Sequence, residues 1–143
     1  MKKAIYTVGT SNRTEDEFID LLAQYRIDAV IDVRRFPTSK FEWFKKEILA
    51  ESLSRCGIEY IYLGDELGGY RSGGYETYTR CDEFIRGRKR AEEVAENRVV
   101  AIMCAERLPW RCHRRFIARN LIEQGWRVIH IIDGERTWED TAK

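Results

Sequence analysis

The sequence predicts an α/β fold: one domain in three layers, with a five-stranded, mainly parallel sheet and helices on both faces. Five short apolar runs alternate along the chain with four segments of helical periodicity. Their spacings fit βα units, and right-handed crossovers then place helices on both faces of the sheet. A length of 143 residues suits a single domain, residues 1–143, that is large enough to bury a core.

The chain opens with a strand, a helix and a second strand. Residues 4–8 form the first strand, and a capping box of Thr14 and Glu17 begins the helix that follows. The second strand, 29–33, contains Asp32. A carboxylate inside an apolar strand is costly unless it is paired. We therefore expect Asp32 to meet an arginine or backbone donors, either as part of the scaffold or as part of a site.

A second helix leads to the third strand and a glycine-rich segment. Ser39 and Glu42 match another capping box, and Gly57 suits the end of the helix that they begin. Residues 58–63 form the third strand. The next segment, 64–74, has five glycines in eleven residues, which excludes regular structure there. It is either a flexible connection or a loop that closely approaches a ligand's phosphate.

The second half supplies two helices and two strands. One helix is interrupted at Gly87, and its basic run, 86–90, is balanced by the glutamates that follow, which favours a solvated face over a nucleic-acid patch. Residues 99–103 form a buried strand, and a helix ended by Gly125 leads to the last strand, 128–132. Three residues with reactive side chains are predicted to belong to the core: Cys56, Cys81 and His130.

Composition and charge limit the class of protein. Hydrophobic residues make up 43% of the chain and charged residues 34%, as in ordinary globular proteins. The 25 basic and 24 acidic side chains give a net charge of +1, so nucleic-acid or membrane binding would need a local basic patch. No apolar run approaches a membrane span or a signal peptide. Four cysteines do not indicate a disulfide scaffold, and we expect a cytoplasmic protein without a cofactor.

Unusual polar residues follow several of the predicted strands. Ligands of open α/β sheets bind at the carboxyl ends of the strands, and parallel strands bring those ends to one edge. We therefore expect one pocket at that edge, shared by the first, second and central strands. The predicted substrate-binding residues are Gly9, Ser11, Asn12, Asp32, Arg34, Gly68, Gly69 and Arg71.

The loop after the central strand carries the most reactive side chains. Cys104 leaves the strand close to the start of a helix and to several arginines, and both favour a thiolate. The apolar strand behind it has the opposite effect, and we expect the pKa of Cys104 to lie below about 8.5. The helix start, with Arg34 or Arg114, is expected to attract sulfate or phosphate. The predicted catalytic residues are Cys104, Glu106, Cys112, His113 and Arg114.

Three other interpretations of this loop remain open. Cys104 is an inert core residue in the first. In the second, Cys104, Cys112, His113 and Glu106 hold a zinc ion, although the loop has no Cys-x-x-Cys pair. In the third, the two cysteines are a redox pair in which Cys104 attacks and Cys112 resolves the product as a disulfide.

The motifs of this loop resemble those of an uncharacterised bacterial and archaeal family, domain of unknown function 488. Its hallmark is Cys-Ala-Glu, then Pro, then Cys-His-Arg, which is met here at residues 104–106, at Pro109 and at residues 112–114. Further family signatures match at Asp32-Val33-Arg34 with Pro37 and Ser39, and at Leu63-Gly64 with Leu67-Gly68-Gly69. The resemblance implies an α/β fold and brings no established activity.

Two positions depart from the family pattern. Thr10 stands where the family usually has histidine, and Tyr70 stands where arginine is common. If that histidine serves catalysis, this chain either differs from the family or uses His113 instead. A more distant architectural resemblance is to rhodanese-type sulfurtransferases, although Pro109 removes an amide from a loop that is also longer than theirs.

The sequence therefore predicts an enzyme that uses the Cys104 thiolate on an anionic substrate, such as a phosphate-bearing nucleotide or a nucleic acid. Three arginines, Arg34, Arg71 and Arg114, would hold the anion. The alternative is a binding module that grips single-stranded nucleic acid through a basic and aromatic rim. The rings of that rim would be Phe36, Trp43, Tyr70, Tyr75 and Trp110.

Overall fold

The computed structural model describes residues 3–139, and within them it has a single sheet with helices packed against it. The strands are β1 (Ala4–Gly9), β2 (Ala29–Asp32), β3 (Glu59–Tyr62), β4 (Val100–Cys104), β5 (Arg127–Ile131) and β6 (Thr137–Glu139). The helices are α1 (Glu15–Gln24), α2 (Lys46–Arg55), α3 (Gly64–Leu67), α4 (Tyr75–Tyr78), α5 (Asp82–Asn97) and α6 (Arg114–Glu123), with 3₁₀ turns at Glu42–Phe44 and Pro109–Arg111. None of the helices in this range is long and apolar enough to cross a membrane.

The sheet has six strands in the described residues, in the order β3-β2-β4-β1-β5-β6. The first five are parallel, as the sequence predicts, and β6 runs antiparallel to β5. The prediction of five strands is therefore wrong by one. Strand β6 has only three residues, all exposed, so it shows no apolar alternation that would reveal it. It is held to β5 by the paired side chains of Glu139 and Arg127.

Alternate residues of each buried strand face different helices. In β4, Ile102 and Cys104 belong to an apolar cluster that includes Phe84 of α5 and Ile117 of α6. Met103, between them, belongs to a second cluster with residues of α1 and α2. Side chains alternate across a strand, so these clusters lie on opposite faces of the sheet. Helices thus cover both faces.

Several local expectations need correction. The hydroxyl of Ser39 accepts a hydrogen bond from the Phe41 amide inside a loop, so it does not cap α2, which begins at Lys46. Helix α5 runs through Gly87 without interruption. A Cβ atom at Gly87 would lie 2.6 Å from the Glu66 Cβ, so glycine is needed there for close helix packing. The glycine-rich segment is partly regular, because its first four residues form α3.

Of the three reactive side chains predicted to belong to the core, one is buried and two are exposed. Cys56 and Cys81 are exposed rather than core residues, because they cap α2 and α5 at positions outside the buried stripes. His130 is buried, as expected. Its Nδ1 lies 2.6 Å from the Thr7 hydroxyl oxygen, which also accepts a hydrogen bond from Arg114. The Thr7 hydroxyl keeps its own proton, which it can donate to Nδ1 of a neutral ring.

This buried ring makes the stability of the fold depend on pH. Burial, and then the charge of Arg114, lower the pKa of His130 to about 4 from 6.5. The neutral ring therefore stabilises the fold fully above about pH 6.5, and this contribution is lost as the pH falls towards 4. Between about pH 7 and pH 4.5 the loss is roughly 2 kcal/mol.

We predict that His130→Asn, which keeps an acceptor near Thr7 but does not titrate, loses less stability on acidification than the unmodified protein. Urea unfolding at both pH values measures the difference, which we expect to be roughly 2 kcal/mol. All other titrating groups are common to both proteins, so they cancel in the comparison. Equal losses in the two proteins would contradict the neutral, buried state of His130.

Candidate active site

A pocket of about 740 Å³ opens at the carboxyl edge of the sheet, beside the ends of β2 and β4. Strand β1 connects through α1 on one face and β4 through α6 on the other, so the neighbours β1 and β4 mark the topological switch point of the sheet. The pocket is lined by Arg34, Arg35, Phe36, Thr38, Gly69, Tyr70, Arg71, Tyr75, Cys104, Ala105, Glu106, Arg111, Cys112 and His113.

The loop after β1 does not line this pocket. A Cβ atom at Gly9 would lie 2.0 Å from the Glu106 carbonyl oxygen, so the loop after β4 packs directly on the Gly9 backbone. The Ser11 amide donates to the Ala105 carbonyl at 2.8 Å, which joins the two loops. Gly9, Ser11 and Asn12, predicted to bind substrate, are thus outside the pocket lining.

Arg114 anchors the loop after β4 from inside. Its side chain is fully buried. One guanidinium nitrogen donates to the Thr7 hydroxyl at 2.9 Å, and another donates to the carbonyls of Glu106 and Arg107 at 2.6 and 3.2 Å. These bonds tie the loop to β1 and leave Arg114 outside the pocket lining.

Arg34 is likewise used to build the pocket wall. It donates to both carboxylate oxygens of Asp32, the closest at 2.9 Å, and to the Phe44 carbonyl at 2.7 Å. The Tyr60 hydroxyl donates to the same carboxylate at 2.5 Å. The expectation that Asp32 pairs with an arginine is therefore confirmed. Both members of the pair are buried, so they fix the loop after β2 from its buried side.

Arg71 has a similar structural role in the glycine-rich segment. It donates to the carbonyls of Gly68 and Asp65, stacks 4.1 Å above the Tyr78 ring and lies 3.6 Å from a Glu83 carboxylate oxygen. Gly68 also has a packing role, because a Cβ atom there would lie 2.3 Å from the Gly64 carbonyl oxygen. The segment is therefore held in a defined conformation along one side of the pocket.

The two cysteines of the loop meet at the floor of the pocket. The sulfurs of Cys104 and Cys112 are 2.8 Å apart. Cys104 is 2% exposed and lies within 3.7 Å of the Glu106 carbonyl oxygen, to which its thiol can donate. Cys112 is half-buried, and its sulfur accepts a hydrogen bond from the Arg114 amide at 3.5 Å.

His113 is oriented so that it can take a proton from Cys112. Its Nε2 lies 3.1 Å from the Val33 carbonyl oxygen, which only accepts, so Nε2 carries a proton. In the neutral ring Nδ1 is then an acceptor, 3.5 Å from the Cys112 sulfur. Proton transfer gives a thiolate–imidazolium pair. The imidazole packs against the Tyr75 ring, with 5.1 Å between the two ring centroids. It also packs against Gly69, where a Cβ atom would lie 3.3 Å from Nδ1.

The two thiols differ in acidity, in the order opposite to the sequence-based expectation. The hydrogen bond from Cys104 and those of His113, with the charges of His113 and Arg114, hold the pKa of Cys112 well below its usual range despite burial. Burial, reinforced by the contact with Cys112, raises the pKa of Cys104. The expectation of a lowered pKa at Cys104 is therefore wrong, because its side chain is only 2% exposed whereas that of Cys112 is half-buried.

Residues 14–121 match the family model described as domain of unknown function DUF488. The chain belongs to this family. The matched range includes every part of the Cys-Ala-Glu, Pro, Cys-His-Arg motif and the departure at Tyr70, whereas Thr10 lies outside it. No curated protein and no solved structure matches the chain significantly, so the resemblance to rhodanese-type sulfurtransferases gains no support.

This DUF488 protein also carries pocket residues that the sequence did not single out for binding. Arg35 lines the pocket, and one of its guanidinium nitrogens donates to the Tyr70 carbonyl at 2.6 Å. Arg111 is exposed, and within residues 3–139 no carboxylate lies within salt-bridge distance of it. The sequence does offer a signal that Arg35 faces the pocket. Side chains alternate along an extended chain, so if Arg34 turns inward to pair with Asp32, Arg35 points outward.

The zinc interpretation has no geometric support in the described part of the chain. Within residues 3–139, no three or more side chains of histidine, cysteine, aspartate or glutamate are grouped to hold a metal ion. The carboxylate of Glu106 instead accepts a hydrogen bond from the Leu108 amide at 3.3 Å, near the pocket rim.

We predict that Cys112 reacts as a thiolate in mildly acidic solution and that Cys104 does not react while the protein is folded. Iodoacetamide alkylation is measured against pH in two variants, both with Cys56→Ser and Cys81→Ser, one with Cys104→Ser and one with Cys112→Ser. With Cys112 present, the rate at about pH 6 should lie within about twofold of the rate at about pH 8. A Cys112 rate that rises steeply through about pH 8.5 would contradict the assignment.

Proposed function

We propose that this protein is a thiol-dependent enzyme that acts in the cytoplasm on an anionic, phosphate-bearing substrate, such as a nucleotide or a nucleic acid. One observation carries the proposal: the Cys112 sulfur lies at the floor of a basic pocket within 3.5 Å of both His113 Nδ1 and the Arg114 amide. A cysteine beside a general base and a helix start is the arrangement of an activated nucleophile. The thiol stays reduced in that compartment.

The reaction we propose follows the proton between two residues. His113 takes the thiol proton of Cys112 through Nδ1, and the thiolate attacks an electrophilic centre of the substrate. A bond from sulfur to that centre forms as the bond to the leaving group breaks, and the leaving group takes the proton back from His113. An acceptor, with His113 as base again, then releases the group from Cys112. Throughout, the Val33 carbonyl keeps the imidazole in place.

Charge supports an anionic substrate. Four arginines line the pocket against one carboxylate, that of Glu106. Because Arg34 and Arg71 direct their donors at the protein itself, we propose that Arg35 and Arg111 bind the anion. This differs from the sequence-based choice of Arg34, Arg71 and Arg114.

A nucleic-acid-binding module remains a second candidate, and the rings at the pocket mouth favour it. Phe36 and Tyr70 are 62% and 84% exposed, with ring centroids 5.9 Å apart. Tyr70 has a left-handed backbone (φ 60), which is costly for a residue with a side chain and holds its ring out at the mouth. Two other rings of the predicted rim lie outside the pocket lining. Trp110 packs against Trp138, and the Trp43 indole N–H donates a hydrogen bond to the Arg13 carbonyl.

We predict that the pocket selects anionic reagents at Cys112. In the Cys56→Ser/Cys81→Ser protein, the rate with iodoacetate relative to iodoacetamide should be higher in the folded protein than in urea. Arg111→Gln and Arg35→Gln should each lower this ratio roughly two- to fivefold, since each removes an exposed charge interaction. Arg55→Gln, at the opposite edge of the sheet, is the matched control and should leave it unchanged. An unchanged ratio in all three variants would refute anion selection.

The two candidate functions respond differently to substitution. If the protein only binds nucleic acid, Tyr70→Ala and Phe36→Ala weaken binding of a single-stranded oligonucleotide, and Cys112→Ser has no consequence for any activity. We expect instead that Cys112→Ser and His113→Gln abolish turnover of phosphate-bearing substrates. Fluorescence anisotropy and a product assay on the same variants separate the two candidates.

A further inference from the structure

Nucleophilic catalysis by Cys112 does not need a second cysteine, yet the Cys104 sulfur contacts the Cys112 sulfur directly. A disulfide needs the sulfurs about 2.05 Å apart, and those of Cys104 and Cys112 are 2.8 Å apart. Both ends of the loop that carries them are fixed, by the β4 ladder and by the hydrogen bonds of Arg114. The sulfurs are therefore only about 0.8 Å beyond bonding distance.

Access to the two sulfurs is unequal. Both cysteines line the pocket, but Cys112 is half-buried whereas Cys104 is only 2% exposed. A small solute meets Cys112 first, and Cys104 is then in place to attack whatever forms on the Cys112 sulfur. This order reverses the sequence-based redox interpretation, in which Cys104 attacks and Cys112 resolves.

We propose that Cys112 and Cys104 form a dithiol–disulfide couple that reduces small hydroperoxides, with Cys112 as the attacking and Cys104 as the resolving residue. The Cys112 thiolate attacks the terminal peroxide oxygen, the O–O bond breaks and Cys112 becomes a sulfenic acid; the hydroxide or alkoxide that leaves takes the proton that His113 accepted from Cys112. The Cys104 thiol then attacks the Cys112 sulfur, a disulfide forms and water leaves. The protein loses two electrons and the peroxide gains them. A cellular dithiol restores the pair.

The surroundings of the pair suit this chemistry. His113 and the Arg114 amide contact the Cys112 sulfur, so they favour the thiolate that attacks the peroxide. The activity uses the same Cys112 thiolate as the proposed function, but it needs no anion bound by Arg35 or Arg111. Disulfide formation also removes the nucleophile, so the oxidised protein is inactive in the proposed function.

The test uses hydrogen peroxide on the full chain with Cys56→Ser and Cys81→Ser. One equivalent of peroxide should remove two thiols, intact mass should show the loss of two hydrogens, and peptide mapping should find Cys104 joined to Cys112. Dithiothreitol should restore both thiols. With Cys104→Ser added, oxidation should stop at a sulfenic acid on Cys112 that dimedone traps. With Cys112→Ser instead, thiol loss should be at least tenfold slower.

Two outcomes would overturn the proposal. Accumulation of the Cys112 sulfenic acid at the same level with and without Cys104 would show that Cys104 does not resolve it. Survival of both thiols under peroxide would show that no couple exists. Disulfide mapping on the protein that retains both cysteines does not depend on how the variants fold. Because peroxide is uncharged, failure here leaves the iodoacetate preference intact, and failure of anion selection leaves the peroxide reaction intact.

Discussion

Arg114 is a cation at the buried centre of the sheet edge, and its side-chain hydrogen bonds go to neutral oxygens: the Thr7 hydroxyl and the carbonyls of Glu106 and Arg107. Within residues 3–139 no carboxylate lies within salt-bridge distance of it. A buried charge is costly unless an opposite charge compensates it. We propose that a thiolate at Cys112 supplies that charge; Arg114 adds to the hydrogen bonds of Cys104 and His113, which lower the pKa of Cys112. Arg114 thus holds the loop in place and also favours the thiolate.

The basic residues around the pocket divide into those that build it and those that face it. Arg34 and Arg71 resemble Arg114, because they donate their hydrogen bonds to backbone carbonyls or to a neighbouring carboxylate. These bonds fix three loops that leave different strands. Arg35 and Arg111, on the open side, are the side chains whose charge a ligand can meet. A rigid wall with a few accessible cations preorganises a site for an anion.

Much of the fold could be predicted from the sequence, because apolar runs, glycines and a capping box are local signals. The box of Thr14 and Glu17 is present as predicted, with both hydrogen bonds formed. The redox interpretation requires Cys104 and Cys112 to meet, but the sequence alone does not decide it from the alternatives, because seven residues separate the two cysteines and tertiary packing sets their distance. The order of their acidities was missed for the same reason. It depends on which sulfur is more deeply buried, and no local pattern in the sequence shows that.

We propose that two adjacent sulfurs share one proton unequally, with the thiol at Cys104 and the thiolate at Cys112. The most direct measurement is a titration of thiolate ultraviolet absorbance in the Cys56→Ser/Cys81→Ser protein, from acidic to alkaline solution. We expect one thiolate to be present already at about pH 6 and a second to form only above about pH 9. Two thiolates that appear together near about pH 8.5 would contradict it.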